Sequence, residues 1–153
     1  MATRSATWDY REDHDGFART YFRRFGDCVV SSVGVGTYLG ESTDAADDRY
    51  REALVSALES GVNAVDTAAN YRHGRSERVV GEAVRAVEVD REAVVVATKG
   101  GFVPFEGDPE DPAGHVREEY VEPGIVDADD LARGHHCIAP DFVDDQLDRS
   151  LSR

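Results

Sequence analysis

The fold class follows from residues 44–66, DAADDRYREALVSALESGVNAVD. Their apolar residues recur three and four positions apart between acids and arginines, which is typical of an amphipathic helix with one buried face. Residues 42–44, Ser-Thr-Asp, offer oxygens that can cap its start, and Gly61 stands where a C-terminal cap is expected. The short apolar run at 62–65 then predicts a buried strand.

Similar segments stand on both sides of this pair. An apolar run at 29–35, ended by glycines, predicts the first strand, and a second amphipathic helix starts at about Ser76. Residues 94–97 predict the third strand, and Pro140 opens a final helix that runs into Arg153. Alternating strands and helices at this spacing predict an α/β fold with a parallel sheet and right-handed crossovers.

Two segments lack this periodicity. Residues 1–27 are polar with scattered aromatics, and we predict an irregular N-terminal arm that packs its aromatic rings against a later core. Residues 102–138 combine prolines with many acids and predict a long loop after the third strand. We take 28–153 as the main unit. Because a crossover helix normally leads to another strand, we expect the chain to be part of a larger fold.

Composition excludes several classes of protein. The chain has 153 residues with 31 acidic and 17 basic side chains, and its formal charge is -14. Sixteen of the bases are arginine, and Lys99 is the single lysine. So few cations exclude a protein that binds nucleic acid by neutralising phosphates. An acidic surface poor in lysine resembles that of proteins from salt-loving microbes, where counterions screen the carboxylates.

The cysteines and the apolar runs indicate the compartment. Cys28 and Cys137 are too few for a disulfide scaffold, which favours a reducing environment. The first residues have no apolar run typical of a signal peptide, and no window approaches the roughly 18 apolar residues of a membrane span. We therefore predict a cytoplasmic protein with no membrane or nucleic-acid partner.

Residues able to carry chemistry follow each predicted strand, where α/β folds gather ligands. They are the turn at 34–37, Asp66 with Tyr71, and Lys99. A phenol has an ordinary pKa of about 10, which an adjacent ammonium lowers, and a carboxylate can hold that ammonium in place. Together the three side chains suit protonation of an oxygen that gains negative charge, as when hydride adds to a carbonyl.

Each residue also has a simpler interpretation. Asp66 could cap the next segment, Tyr71 could pack in the core, and Lys99 could be a surface base. The pair of histidines before Cys137 could bind metal, but adjacent side chains point in different directions and no second cluster occurs. The acids of 106–130 lack the order of a calcium-binding loop. We predict no metal site.

Three motifs resemble the aldo/keto reductase family. The stretch 61–71, GVNAVDTAANY, followed by GRSE at 74–77 and VG at 80–81, resembles the first signature of that family. Residues 30–37, VSSVGVGT, resemble its first barrel strand, and 97–101, ATKGG, its third. The motifs occur in the family's order and spacing, and the resemblance covers about residues 22–101 plus the final helix.

The resemblance implies a partial (β/α)8 TIM barrel with about three βα units plus an N-terminal arm, ending in the third helix. It implies reduction of a small aldehyde or ketone by NADPH or NADH. By position, Tyr71 would be the general acid, Lys99 would activate it, and Asp66 would pair with Lys99 near the nicotinamide ribose. Three further residues would line the cofactor and the mouth of the site: Gly36, Thr37 and Tyr38.

The resemblance leaves alternatives open. In the family, a histidine after the fourth strand and most of the cofactor contacts belong to later elements, which these residues do not include. The chain could therefore be an incomplete part of an active reductase or a catalytically inactive truncated fragment. It could also be a regulatory or binding protein with the reductase fold, of the potassium-channel-subunit type.

Overall fold

A computed structural model describes residues 1–105, 107 and 109–153. Glu106 and Asp108, which the sequence assigns to the acidic loop, lie outside the described residues. The helices are α1 (Arg4–Asp13), α2 (Asp44–Glu59), α3 (Arg75–Ala86), α4 (Pro112–Val116) and α5 (Pro140–Ser152). The strands are β1 (Phe22–Phe25), β2 (Cys28–Ser31), β3 (Val35–Gly36), β4 (Ala64–Asp66) and β5 (Val95–Ala97).

The strands β3, β4 and β5 form a parallel sheet in that order. The helix α2 connects β3 to β4, and α3 connects β4 to β5. Both crossover helices cover the sheet, as the alternation in the sequence predicts. Their buried residues and those of the strands make one apolar core, whose members are Leu54, Leu58, Val65, Val79, Val80, Ala83, Val87 and Val94.

The ends of α2 confirm the capping residues expected from the sequence. Thr43 is the N-cap, and its side-chain oxygen accepts a hydrogen bond from the amide of Ala46. Gly61 follows the helix with φ of 94°, a left-handed conformation that favours glycine. A Cβ at Gly61 would lie 2.6 Å from the ring of Phe17, so the position also excludes a side chain by contact.

The predicted first strand at 29–35 is wrong, because the structure divides it into two strands. The strand β2 pairs antiparallel with β1, with Phe25 opposite Cys28, whereas β3 belongs to the parallel sheet. Between them the Ser31 hydroxyl donates to the carbonyl of Val33 at 2.7 Å and turns the chain. Continuous apolar residues hid this turn, since hydrophobicity alone does not mark where one strand ends and the next begins.

Asn63, the residue before β4, joins the β1–β2 hairpin to the parallel sheet. Its side chain is fully buried, and its Oδ1 accepts from the amide of Ser31 at 2.8 Å. Its Nδ2 donates to the carbonyls of Val29 at 3.1 Å and Ala93 at 3.0 Å. One amide group therefore links the β1–β2 hairpin, the parallel sheet and the 3-10 turn Arg91–Ala93.

The predicted irregular arm at 1–27 is also corrected, because it contains α1 and β1. The N-cap of α1 is Thr3, and the helix buries Thr7 and Tyr10. The Tyr10 hydroxyl donates to the carbonyl of Leu58, near the end of α2. Aromatic residues without helical spacing obscured this helix. Whether residue 27 is a domain boundary stays a prediction.

The segment predicted as a loop at 102–138 contains short helices and a core of its own. After α4 come a π-helical turn, Arg117–Val121, and a 3-10 turn, Ala128–Asp130. Gln146 joins α5 to the start of this segment, because it accepts from the amide of Gly101 and donates to the carbonyl of Phe102, both at 2.6 Å. The buried residues here are Val103, Val116, Tyr120, Val126, Cys137 and Phe142.

An apolar surface remains exposed beside β5. The α5 residues Val143, Leu147 and Leu151, spaced four apart, are 40%, 49% and 71% exposed. A groove of about 550 Å³ lies among α3, β5 and α5, and its apolar lining includes Val84 and Val96. In the part of the chain that the structure describes, no helix is long and apolar enough to cross a membrane.

Candidate active site

The carboxyl ends of the three parallel strands bring the predicted site residues to one edge of the sheet. Asp66 is the last residue of β4, and Lys99 follows β5 by two residues. Backbone hydrogen bonds continue past the strands, from the amide of Thr37 to the carbonyl of Asp66 and from the amide of Ala69 to the carbonyl of Lys99, each 3.1 Å long. The loops that carry the site therefore start in a fixed register.

The Lys99 ammonium is held by three oxygen atoms. Its Nζ donates to Oδ1 and Oδ2 of Asp66 at 2.7 and 2.9 Å and to the carbonyl of Thr67 at 2.9 Å. The same Nζ lies 4.7 Å from the ring centroid of Tyr71. Burial works against the charge, but Asp66 and Tyr71 outweigh it and raise the pKa of Lys99 above its ordinary value. The ammonium is therefore charged at neutral pH.

The ring of Tyr71 borders the ammonium, and a second tyrosine ring packs against it. Tyr71 contacts Tyr38 edge-on, with ring centroids 4.9 Å apart and an interplanar angle of 64°. Tyr38 is 66% exposed, and the side chains of Asp66 and Lys99 are 55% and 48% exposed. A phenol, an ammonium and a carboxylate thus meet at an edge that solvent and small molecules can reach.

The residues of the turn after β3 differ in how accessible they are to a ligand. A Cβ at Gly36 would meet no atom within 4 Å, so the space beside this backbone is free. Thr37 is buried, and its hydroxyl bonds to the hydroxyl of Thr67 at 2.9 Å while its carbonyl accepts from Ser76 at 2.7 Å. Gly36 and Tyr38 are open to a ligand. The predicted cofactor contacts of Gly36, Thr37 and Tyr38 stay predictions.

Glu77 is a buried carboxylate behind this edge that the sequence analysis missed. Its Oε1 accepts from Thr98 at 2.5 Å and from Ser150 at 2.7 Å, and its Oε2 pairs with Arg153 at 2.5 Å. It therefore joins α3 to the residue before Lys99 and to α5. A charged residue within the apolar face of α3 was the signal available in the sequence.

Arg72, directly after Tyr71, belongs to a second network that sequence reasoning missed. Its Nη2 lies 2.5 Å from Oδ1 of Asp47, and Nε of Arg75 lies 2.8 Å from Oδ2 of the same carboxylate. Burial by itself would raise the pKa of the Asp47 carboxyl, but the hydrogen bonds from Arg75 and Arg72 outweigh it and hold that pKa below its ordinary value.

This network predicts a loss of stability in acid. Because the Asp47 carboxyl has a lower pKa in the folded state, its contribution is complete above the unfolded pKa of about 3.9 and is lost as the pH falls through the folded value. Asp47→Asn should lower the free energy of unfolding at neutral pH and flatten its decline below about pH 4.

Urea titrations at neutral pH and at about pH 3 measure this effect. Asp48→Asn is the matched control, because Asp48 is the next residue of α2 and its carboxylate is mostly exposed, with Arg51 as its partner. The prediction fails if Asp47→Asn, Asp48→Asn and the parent protein all lose the same stability in acid.

The described residues contain no group of three or more His, Cys, Asp or Glu side chains that could hold a metal ion. His135 and His136 instead pack against the ring of Phe102, with ring centroids 5.8 and 4.7 Å away. The two histidines thus contribute aromatic packing around Phe102 in the segment after β5.

Comparison with known proteins gives one consistent result. The sequence profile of the Aldo/keto reductase family matches residues 32–153. NADH-specific methylglyoxal reductase of Escherichia coli (strain K12) is 37% identical over an alignment of 82 residues, which covers 50% of this chain and 24% of that protein. 2,5-Diketo-D-gluconic acid reductase B of Corynebacterium sp. (strain SHS752001) is 42% identical over 66 residues, 43% of this chain and 21% of that protein.

Among solved structures, the holo form of an aldo-keto reductase from Bacillus halodurans is 32% identical to this chain. The match covers 64% of this chain and 33% of that chain, with a TM-score of 0.47. The alignments with the two curated relatives span less than a quarter of each relative's length.

Proposed function

Because this chain belongs to the aldo/keto reductase family, we propose that it forms part of a (β/α)8 barrel that reduces a small aldehyde or ketone with NADPH or NADH. Among the described residues, β5 pairs with β4 on one side and with no strand on the other, and this open edge supports the barrel. Next to it lie the apolar groove and the exposed stripe of α5, and an unpaired strand edge beside an apolar face is a surface that further protein normally covers.

The observation that carries the proposal is the contact of Lys99 with both its neighbours. Its Nζ bonds to both carboxylate oxygens of Asp66 and lies 4.7 Å from the ring of Tyr71. An ammonium this close stabilises the negative charge that a phenol acquires when it gives up its proton. A lysine that only stabilised the fold by pairing with Asp66 would have no use for a phenol beside it at a solvent-accessible edge.

Each residue has a distinct role in the proposed reaction. The Tyr71 hydroxyl donates its proton to the carbonyl oxygen of the substrate as negative charge develops there. Lys99 stabilises the phenolate that remains, and Asp66 holds Lys99 in position. Tyr38, which packs against Tyr71 and is largely exposed, borders the path by which the carbonyl compound reaches the hydroxyl.

The nicotinamide cofactor supplies the hydride when it is bound. The residues at the sheet edge fit such a group, because the exposed Asp66 carboxylate can accept hydrogen bonds from ribose hydroxyls and the space beside Gly36 is open. We therefore assign Gly36, Thr37, Tyr38 and Asp66 to the cofactor side of the site. Thr37 would act by holding the backbone beside Gly36 in place, since its hydroxyl, amide and carbonyl all bond within the protein.

The two curated relatives support the substrate class. Their names describe reductases of methylglyoxal and of 2,5-diketo-D-gluconic acid, which are both small carbonyl compounds. We extend this class to the present chain. From the acidic composition with a single lysine, we also propose that the protein works in a cytoplasm rich in salt.

The proposed function is tested on the product of the complete gene, sequenced past the codon for Arg153. Purified protein is assayed with methylglyoxal and with a diketone acid, using NADPH and NADH in turn and following the loss of reduced nicotinamide. Turnover that depends on nicotinamide supports the proposal. Its absence with every substrate and cofactor would favour an inactive or regulatory barrel.

We expect Lys99→Met to lower this turnover about a hundredfold, because it removes the charge that stabilises the developing phenolate. Initial rates with saturating nicotinamide measure the effect. Arg51→Met also removes one positive charge, from the solvent-facing side of α2, and serves as the control. Equal rates in the parent and Lys99→Met would remove Lys99 from the mechanism.

A further inference from the structure

The guanidinium of Arg72 is buried directly after Tyr71, with only 1% of the side chain exposed. Its Nε and Nη2 donate to the carbonyl of Glu41 at 3.0 and 2.7 Å, and Nη2 also pairs with Asp47. The guanidinium carbon lies 4.8 Å from the centroid of the Tyr50 ring. One side chain therefore reaches the α2 helix and the loop between β3 and α2.

The backbone beside Tyr71 adopts a conformation that needs support. Arg72 and His73 have φ of 50° and 56°, and Gly74 continues the left-handed path with φ of 80°. Residues other than glycine rarely adopt a positive φ, and such backbone strain persists only where surrounding contacts compensate it. Backbone hydrogen bonds close the turn, including one from the amide of Gly74 to the carbonyl of Tyr71, and the buried contacts of the Arg72 side chain anchor it to the rest of the protein.

The same guanidinium also fixes the loop that carries Tyr38. Glu41, whose carbonyl accepts two of its hydrogen bonds, lies three residues after Tyr38. Tyr50, beneath the guanidinium, donates its hydroxyl to the carbonyl of Leu39. Arg72 thus connects the two loops whose tyrosine rings meet at 4.9 Å.

The buried guanidinium of Arg72 has one nitrogen that adds nothing to these contacts. The remaining nitrogen, Nη1, is buried and has no hydrogen-bond partner among the residues that the structure describes. An unpaired buried N–H lowers stability, but an apolar side chain here would take hydrogen bonds away from the Glu41 carbonyl and the Asp47 carboxylate. The planar guanidinium offers several donors in one fixed geometry, and this property matches the Glu41 and Asp47 oxygens it binds.

We propose that Arg72 is a positioning residue, which sets the Tyr71 ring against Lys99 and Tyr38 by joining the β3–α2 loop to the turn after Tyr71. The inference rests on the proposed function, in which Tyr71 donates the proton. It assigns Arg72 no contact with substrate. Without Arg72, Tyr71 keeps its hydroxyl but loses its fixed distance from Lys99.

The test uses Arg72→Met and Arg72→Lys in the product of the complete gene. NMR spectra of protein with labelled tyrosine and lysine report the contacts of the Tyr71 ring with Tyr38 and Lys99, and labelled leucine and valine methyls report the core. Initial rates give kcat and KM. Arg75→Met is the matched control, because Arg75 pairs with the same Asp47 carboxylate but makes no hydrogen bond to Glu41.

We expect Arg72→Met to lose the Tyr71 contacts and to lower kcat about 10- to 100-fold, with KM for the nicotinamide changed less than about twofold. Arg72→Lys should lose part of both, because an ammonium cannot bond to Glu41 and Asp47 in the same way. Arg75→Met should keep the contacts and kcat. The methyl signals of Leu54 and Val94 should stay unchanged in all three variants.

Unchanged Tyr71 contacts in both Arg72 variants would overturn the inference. Loss of the Leu54 and Val94 core signals in both variants would also overturn it, because Arg72 would then support the whole fold and not the position of Tyr71. Failure of the proposed function is separate: it appears as parent protein without turnover, or as Tyr71→Phe with full turnover. The NMR contacts decide the role of Arg72 in either case.

Discussion

Tyr71→Phe is expected to lower the turnover of an aldehyde about 10²- to 10⁴-fold, the range that general acid catalysis contributes. The substitution removes the hydroxyl and keeps the ring. The edge contact with Tyr38 and the position of the ring near Lys99 should persist, so the free energy of unfolding should change little. The loss should appear in kcat, because the proton is needed only as charge develops on the substrate oxygen.

Tyr21→Phe is the control for this experiment. Tyr21 stacks on Phe17 in the segment between α1 and β1, so losing its hydroxyl should leave turnover unchanged. Steady-state rates across a range of aldehyde concentrations separate kcat from KM. If Tyr71→Phe raises KM alone and keeps kcat, Tyr71 binds substrate without donating the proton, and the proposed mechanism is wrong.

Asn63→Ala is expected to lower the free energy of unfolding by about 3–5 kcal/mol. The substitution leaves three buried backbone groups without partners: the amide of Ser31 and the carbonyls of Val29 and Ala93. Each buried group that loses its hydrogen bond costs about 1–3 kcal/mol. The cavity left by the missing amide adds to the loss.

Urea unfolding followed by circular dichroism measures this difference. Asn70→Ala is the matched control, because Asn70 lies in the loop after β4 and is exposed. It should change stability by less than about 0.5 kcal/mol. A loss below about 1 kcal/mol for Asn63→Ala would show that water replaces the amide group and that the hairpin does not depend on it.

The sequence predicted the elements whose signals are local and periodic. The bounds of α2 follow from its apolar spacing, from Thr43 and from Gly61, and the order of strands and helices follows from their alternation. The meeting of Asp66 and Lys99 was also predictable, because parallel strands end at the same edge of a sheet. Proximity of Tyr71 to that pair follows from its place five residues after β4.

What the sequence could not predict depends on contacts between distant residues. Asn63 and Arg72 are polar, and a pattern of hydrophobicity assigns such residues to the surface. Both are buried, and their hydrogen-bond partners lie about 25 to 34 residues away in the sequence. The turn between β2 and β3 lies inside one apolar run. Short helices at 112–121 span too few turns to show a period.

The single lysine also makes the candidate site chemically addressable. An acylating reagent has two amine targets in this sequence, the α-amine of Met1 and the side chain of Lys99, which is half-exposed beside Tyr71. The unprotonated amine is the nucleophile, so the raised pKa of Lys99 makes labelling slow at neutral pH and faster in alkaline solution. The rate at which the tag forms on Lys99, read from the peptide that contains it, therefore reports whether a ligand covers this edge of the sheet.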